Sequence, residues 1–74
     1  MTLHDLAMML SEMYYNAPAK EQVTMIHLFG IKYADVIKEN GYSRKEIIQK
    51  ANIRESYLTE LSKGMRLSKY VMLK

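Results

Sequence analysis

Apolar residues recur at helical spacing through most of the chain. Leu3, Leu6, Ala7, Leu10, Met13 and Tyr14 form one stripe, with Ser11 and Glu12 on the other side, and this period marks an amphipathic helix. Thr2 and Asp5 stand ahead of it at capping-box spacing, aspartate replacing the usual glutamate. Asn16-Ala17-Pro18 ends this helix, because the residue before a proline avoids the helical region. Pro18 itself suits the first turn of the next helix.

From Pro18 to Asn40 the pattern predicts one long helix. Val23, Ile26, Phe29 or Gly30, Tyr33, Ala34 and Ile37 make its main stripe, and Met25, Leu28, Ile31 and Val36 fall partly outside it. A helix apolar around much of its circumference is central, with partners on more than one side. Unbroken, it spans about 34 Å at 1.5 Å per residue. That is long for so short a chain, and Gly30 is a place for it to kink or split. The surplus apolar residues suit a dimer seam or a wider intramolecular core.

Asn40-Gly41 is a helix stop, with glycine supplying the left-handed residue. Ser43 then caps a third helix, and Glu46 three residues on completes a capping box. Ile47, Ile48 and Ala51 give it a buried face, and Asn52 marks a turn because asparagine tolerates the left-handed conformation. Tyr57, Leu58 and Leu61 are the apolar positions of a fourth helix that ends at Gly64. The remaining MRLSKYVMLK reads two ways. Alternation of Lys69, Val71 and Leu73 suits an extended segment that packs back on the domain or on a second subunit, whereas Ser68 and the apolar cluster after it suit a last helical turn. The expectation is a single all-α domain over residues 1–74, of four to five helices, with an extended C-terminal tail as the preferred reading.

Size and charge sharpen this outline. A chain of 74 residues buries only about 60% of the surface its unfolded form exposes, so its core is thin. Dimerisation is a common way to add to such a core. Cysteine is absent, which excludes a disulfide framework and a thiolate zinc site. No signal peptide or membrane span is recognisable, and the expected location is the cytoplasm. The net charge of +3 is unevenly spread: three lysines against five carboxylates give −2 over residues 1–40, and eight cations against three glutamates give +5 over residues 41–74. The basic half coincides with the two short helices, as a face that meets a polyanion requires.

Segment 43–64, SRKEIIQKANIRESYLTELSKG, resembles the helix-turn-helix of the lambda-repressor-like (Cro/C1) family over about a third of the chain. Ile47 and Ile48 occupy the family's apolar–small pair, Asn52 and Ile53 its turn, Leu58 and Leu61 its buried aliphatics and Gly64 its closing glycine. Arg66 sits where the family often carries a basic residue. Two positions depart from the pattern. Ile48 replaces the usual alanine where the helices cross closely, and Arg54 replaces the serine or threonine that caps the recognition helix, a role Ser56 would have to assume. The whole chain also looks like a group of small bacterial helix-turn-helix-like proteins that share a segment similar to HLFGIKYA and a C-terminal KYVxLK.

The resemblance implies a DNA-binding protein of bacterial or phage type, a transcriptional regulator acting as a homodimer, with a recognition helix at about 55–63. Such a helix presents its N-terminal residues to base edges. Here these are Arg54, Glu55, Ser56, Thr59, Glu60 and Lys63, of which arginine suits guanine and glutamate suits the cytosine amino group. Arg44, Lys45, Lys50, Arg66 and Lys69 are placed for phosphates, which give affinity rather than sequence information. Glu55 and Glu60 count against this reading, since they repel phosphate. The alternative is a protein-interaction module, antitoxin-like or an inhibitor, that uses the helix-turn-helix as scaffold and its methionines as contact surface.

Little else carries chemistry. His4 and His27 are 23 positions apart with no carboxylate spaced to complete a metal site, and His27 reads as a hydrogen-bonded, half-buried histidine. There is no thiol nucleophile, no phosphate-cradling glycine loop and no serine elbow. Neither an enzyme nor a cofactor is expected.

Overall fold

The computed structural model describes residues 1–71. Among the described residues there are four helices, α1 (Leu3–Tyr15), α2 (Gln22–Asn40), α3 (Arg44–Lys50) and α4 (Leu58–Leu67), with a 3-10 turn, Glu55–Tyr57, leading into α4. No strand occurs among the described residues. The all-α expectation holds.

The first cap forms as its spacing predicts. The Asp5 amide donates to Thr2 Oγ1 and the Thr2 amide to Asp5 Oδ2, both at 3.0 Å. The Thr2 amide and hydroxyl hold the Asp5 carboxyl below the usual carboxylate range. The second helix starts later than expected. Pro18 opens a turn, closed by the Glu21 amide on the Pro18 carbonyl at 3.0 Å. Lys20 then takes a left-handed conformation, φ 69°, which no helix can carry through. From Gln22 the helix runs unbroken past Gly30 to Asn40. It stops as expected, with Gly41 at φ 64° and the Tyr42 amide reaching back to the Ile37 carbonyl. Ser43 caps α3, its hydroxyl accepting from the Glu46 amide at 3.3 Å.

Gly64 does not end the fourth helix. It lies inside α4, which continues to Leu67 and passes into a turn through Tyr70. The preferred extended reading of the tail therefore fails over residues 65–70, and the helical alternative takes its place; residues 72–74 lie outside the described ones. Both glycines are spent on a close helix crossing. A Cβ on Gly64 would stand 2.5 Å from the His27 carbonyl oxygen, and one on Gly30 would stand 2.8 Å from the Met65 nitrogen and 2.9 Å from the Leu61 oxygen. Real Cβ atoms do not come so close to backbone, so α2 and α4 meet at a distance only glycine permits. Gly30 is a contact point, not a kink.

Around this crossing the core closes. Leu6 and Leu10 of α1, Ile26 and Phe29 of α2, Ile47 and Ile48 of α3 and Leu61 of α4 are fully buried. Burying side chains of this kind contributes about 1.5–3 kcal/mol each. Val36, Met9 and Met13 pack against that core from its edge and Met65 lies in it, whereas Met1 and Met8 are exposed. The first helix also braces α3 at both ends. The Tyr42 hydroxyl donates to the Met1 carbonyl at 2.7 Å, and the Tyr15 hydroxyl donates to the Asn52 carbonyl. So the apolar half of the chain is the frame on which the basic half is mounted.

Candidate nucleic-acid interface

The turn between α3 and α4 fixes how the two helices meet. Asn52 takes φ 61°, its amide bonds to the Gln49 carbonyl at 3.1 Å, and the Ile53 amide bonds to the Ile48 carbonyl at 3.2 Å. This is the paired pattern of a Schellman ending, in which a hydrophobic contact commonly accompanies the bonds; both Ile48 and Ile53 are buried. Isoleucine at position 48 is thus part of the core and of the turn. Arg54 is extended, and neither it nor Ser56 caps the helix that follows. A 3-10 turn does this work instead, with the Tyr57 amide on the Arg54 carbonyl at 3.0 Å.

With Leu61, Gly64 and Met65 facing the core, the outer side of α4 carries Thr59, Lys63 and Arg66, and the turn beyond adds Tyr70. These positions recur at helical spacing and form one exposed stripe. The start of α3 lies beside it. Arg44 Nη1 donates to Ser62 Oγ at 3.2 Å, and Tyr42, Ser43, Arg44, Lys45, Leu58 and Ser62 line an open depression between the two helices. Arg44, Lys45, Lys63 and Arg66, four of the cations selected from sequence, therefore border one helix. Lys50 is exposed at the far end of α3, Arg54 in the turn, and Lys69 beyond α4.

Neither glutamate stands free. Glu55 lies 3.2 Å from Lys45 Nζ, an exposed pair that contributes at most about 1 kcal/mol to stability but offsets the charge of the carboxylate locally. Glu60 turns away from the stripe toward α2. Its Oε1 is 2.7 Å from His27 Nε2, and its Oε2 is 3.7 Å from Lys63 Nζ. The His27 hydrogen bond, opposed by partial desolvation and aided by Lys63, holds the Glu60 carboxyl below its usual range. Glu60 is half-buried in this position. Of the six residues selected for base contact, Thr59 and Lys63 lie on the stripe, Arg54, Glu55 and Ser56 are exposed at its N-terminal approach, and Glu60 sits on the flank.

Sequence reading gives His27 a partner without locating it, and it misses the glycine crossing. The signal is present: Gly30 follows His27 by three residues and Gly64 follows Glu60 by four, so bringing the glycines together brings the imidazole to the carboxylate. Among the described residues no cluster of three or more His, Asp or Glu could hold a metal ion. No helix among them is long and apolar enough to cross a membrane.

The stripe is bordered on its α2 side by different chemistry. His27, Lys63, Arg66, Leu67 and Tyr70 line a second depression whose walls are mostly apolar. Leu67, Tyr70 and Val71 are exposed beside it.

No curated protein and no solved structure matches the chain. The model of a family described as "HTH-like domain" matches residues 2–74. That match takes in α1 and α2 as well as the α3–turn–α4 unit, and the chain belongs to this family.

Proposed function

We propose that the protein binds double-stranded DNA through α4, as a small transcriptional regulator acting as a homodimer in the cytoplasm, and that it binds without catalysing a reaction. One observation carries this reading: Arg44, Lys45, Lys63 and Arg66 lie on or beside a single exposed helix stripe, while Glu60 is drawn off it toward His27 and Glu55 is offset by Lys45. Family membership supports it, as does the Schellman turn that fixes α4 against α3. The likeness of residues 43–64 to the Cro/C1 motif supports the same docking, with α4 in the major groove and the start of α3 at the backbone.

In this arrangement Lys63, Thr59 and Arg54 reach base edges, and Arg44, Lys45 and Arg66 reach phosphates. The α4 helix has ten residues, about 15 Å in length, and reads few base pairs alone. Two copies on half-sites one turn apart supply the rest. The test is a titration of duplex DNA at several salt concentrations. The slope of log K against log salt should be about −0.9 for each phosphate neutralised, and replacing Arg44, Lys45 and Arg66 with alanine should make it shallower by about that amount for each phosphate left without its cation. Absence of binding at low salt would end the proposal.

A second reading has its own observation. Exposed Leu67, Tyr70 and Val71 beside the apolar depression suit a protein contact, as in an antitoxin-like or inhibitory module. It predicts a stoichiometric complex that survives Arg44→Ala with Arg54→Ala.

A further inference from the structure

We infer that His27 is a positioning residue for the DNA-facing stripe, drawing one oxygen of the Glu60 carboxylate toward α2 so that the Lys63 ammonium keeps only a long contact with the other oxygen and stays available to DNA. The inference rests on the duplex reading above.

Glu60 and Lys63 are three residues apart on α4, and Glu60 Oε2 is already 3.7 Å from Lys63 Nζ. The two are thus at ion-pair distance; such a pair forms readily on a helix surface, and if tightened it would occupy the cation that the stripe offers to DNA. The imidazole competes for the carboxylate more effectively, since His27 Nε2 stands 2.7 Å from Glu60 Oε1. Side-chain flexibility does not set that distance. The His27 backbone is the surface on which Gly64 packs, with no room for a Cβ between them, and Glu60 lies one turn before Gly64 on the same helix. The crossing therefore delivers the imidazole to the carboxylate as a consequence of the fold.

Lys63 and Arg66, together with the Tyr70 ring, line the depression that His27 shares. Glu60 is the one acidic group among these neighbours. Released from His27, it would close on Lys63 and neutralise a cation of the stripe.

The experiment is a cycle of variants titrated on a mixed-sequence duplex at low salt, with thermal melting of each variant recorded. His27→Ala and His27→Leu remove the hydrogen-bonding nitrogen, the leucine preserving more of the packing should the alanine variant fail to fold. Each should bind about threefold more weakly, the scale of neutralising part of one cation that faces DNA in water. His27→Gln, whose amide can still donate to the carboxylate, should bind as the wild type does. Adding Glu60→Gln to His27→Ala or His27→Leu should restore the affinity without restoring the melting temperature. If the double variants stay as weak as the single ones, His27 acts through folding only and the inference is overturned. Unchanged affinity in both single variants overturns it equally. A wild-type chain that binds no duplex overturns the DNA reading and this inference with it.

Discussion

α2 and α4 touch along a crossing that only glycines allow, yet they turn opposite chemistry to their surroundings. The outer side of α2 carries half-buried Leu28 and Ile31 between Lys32 and Asp35, cation beside anion. The outer side of α4 carries Thr59, Lys63 and Arg66, with no unpaired acid among them. The longer helix spends its residues on packing against α1 and α4. The shorter spends one face on the core and leaves the other as a field of one sign. A frame and a presenting surface can thus be told apart within a chain this small, and the crossing joins them.

That contrast breaks most directly at the crossing. Gly64→Ala puts a methyl group 2.5 Å from the His27 carbonyl oxygen, and forcing the helices apart should cost about 2–3 kcal/mol. At roughly 4–8 °C per kcal/mol for a domain of this size, the melting temperature should fall by more than 8 °C. Gly30→Ala should behave alike, since its methyl group meets the α4 backbone. A smaller effect tests the mounting of α3. Ser43→Ala removes the acceptor for the Glu46 amide and should cost about 1 kcal/mol in chemical denaturation. The presenting surface should respond in the opposite way: Lys63→Ala with Arg66→Ala should change stability by no more than about 0.5 kcal/mol, however much it weakens binding to DNA. A large drop in stability there would show that the stripe belongs to the frame.

The smallest expected effect is on acid stability. Glu60 and Asp5 both have carboxyls held below their usual range in the folded chain. The sign follows from linkage: the stabilisation is present above the unfolded pKa and is lost as pH falls through the folded one. Melting temperature should therefore decline as pH drops below about 4, and more gently in Glu60→Gln than in the wild type. His27 gives up its carboxylate partner over the same interval.

Helix existence and most capping are readable from sequence, because they depend on residues within four positions of one another. Thr2 with Asp5, Asn40 with Gly41, Ser43 and Asn52 all act where their local chemistry places them. Errors arise where distant contacts decide. Gly64 looks like a stop when only its neighbours are considered, but His27, 37 positions earlier, needs that glycine inside a helix. Pro18 fits a first helical turn locally, yet Lys20 takes the left-handed conformation and delays α2 to Gln22. The candidate surface is legible as a set of cations, not as a place. Which of them share a stripe depends on the α2–α4 crossing, and the pairing of Glu60 with His27 changes the charge balance that sequence alone presents.

The central claim is that DNA lies on the outer stripe of α4. Its most direct test is a map of amide chemical-shift changes in the isotopically labelled protein as a duplex is added at low salt. The largest changes should fall at Thr59, Ser62, Lys63 and Arg66, with Arg44 and Lys45 following, and little change should appear along the exposed side of α1 at Met8 and Glu12. Changes concentrated on α1, or on Leu67 and Val71 with the stripe silent, would contradict it.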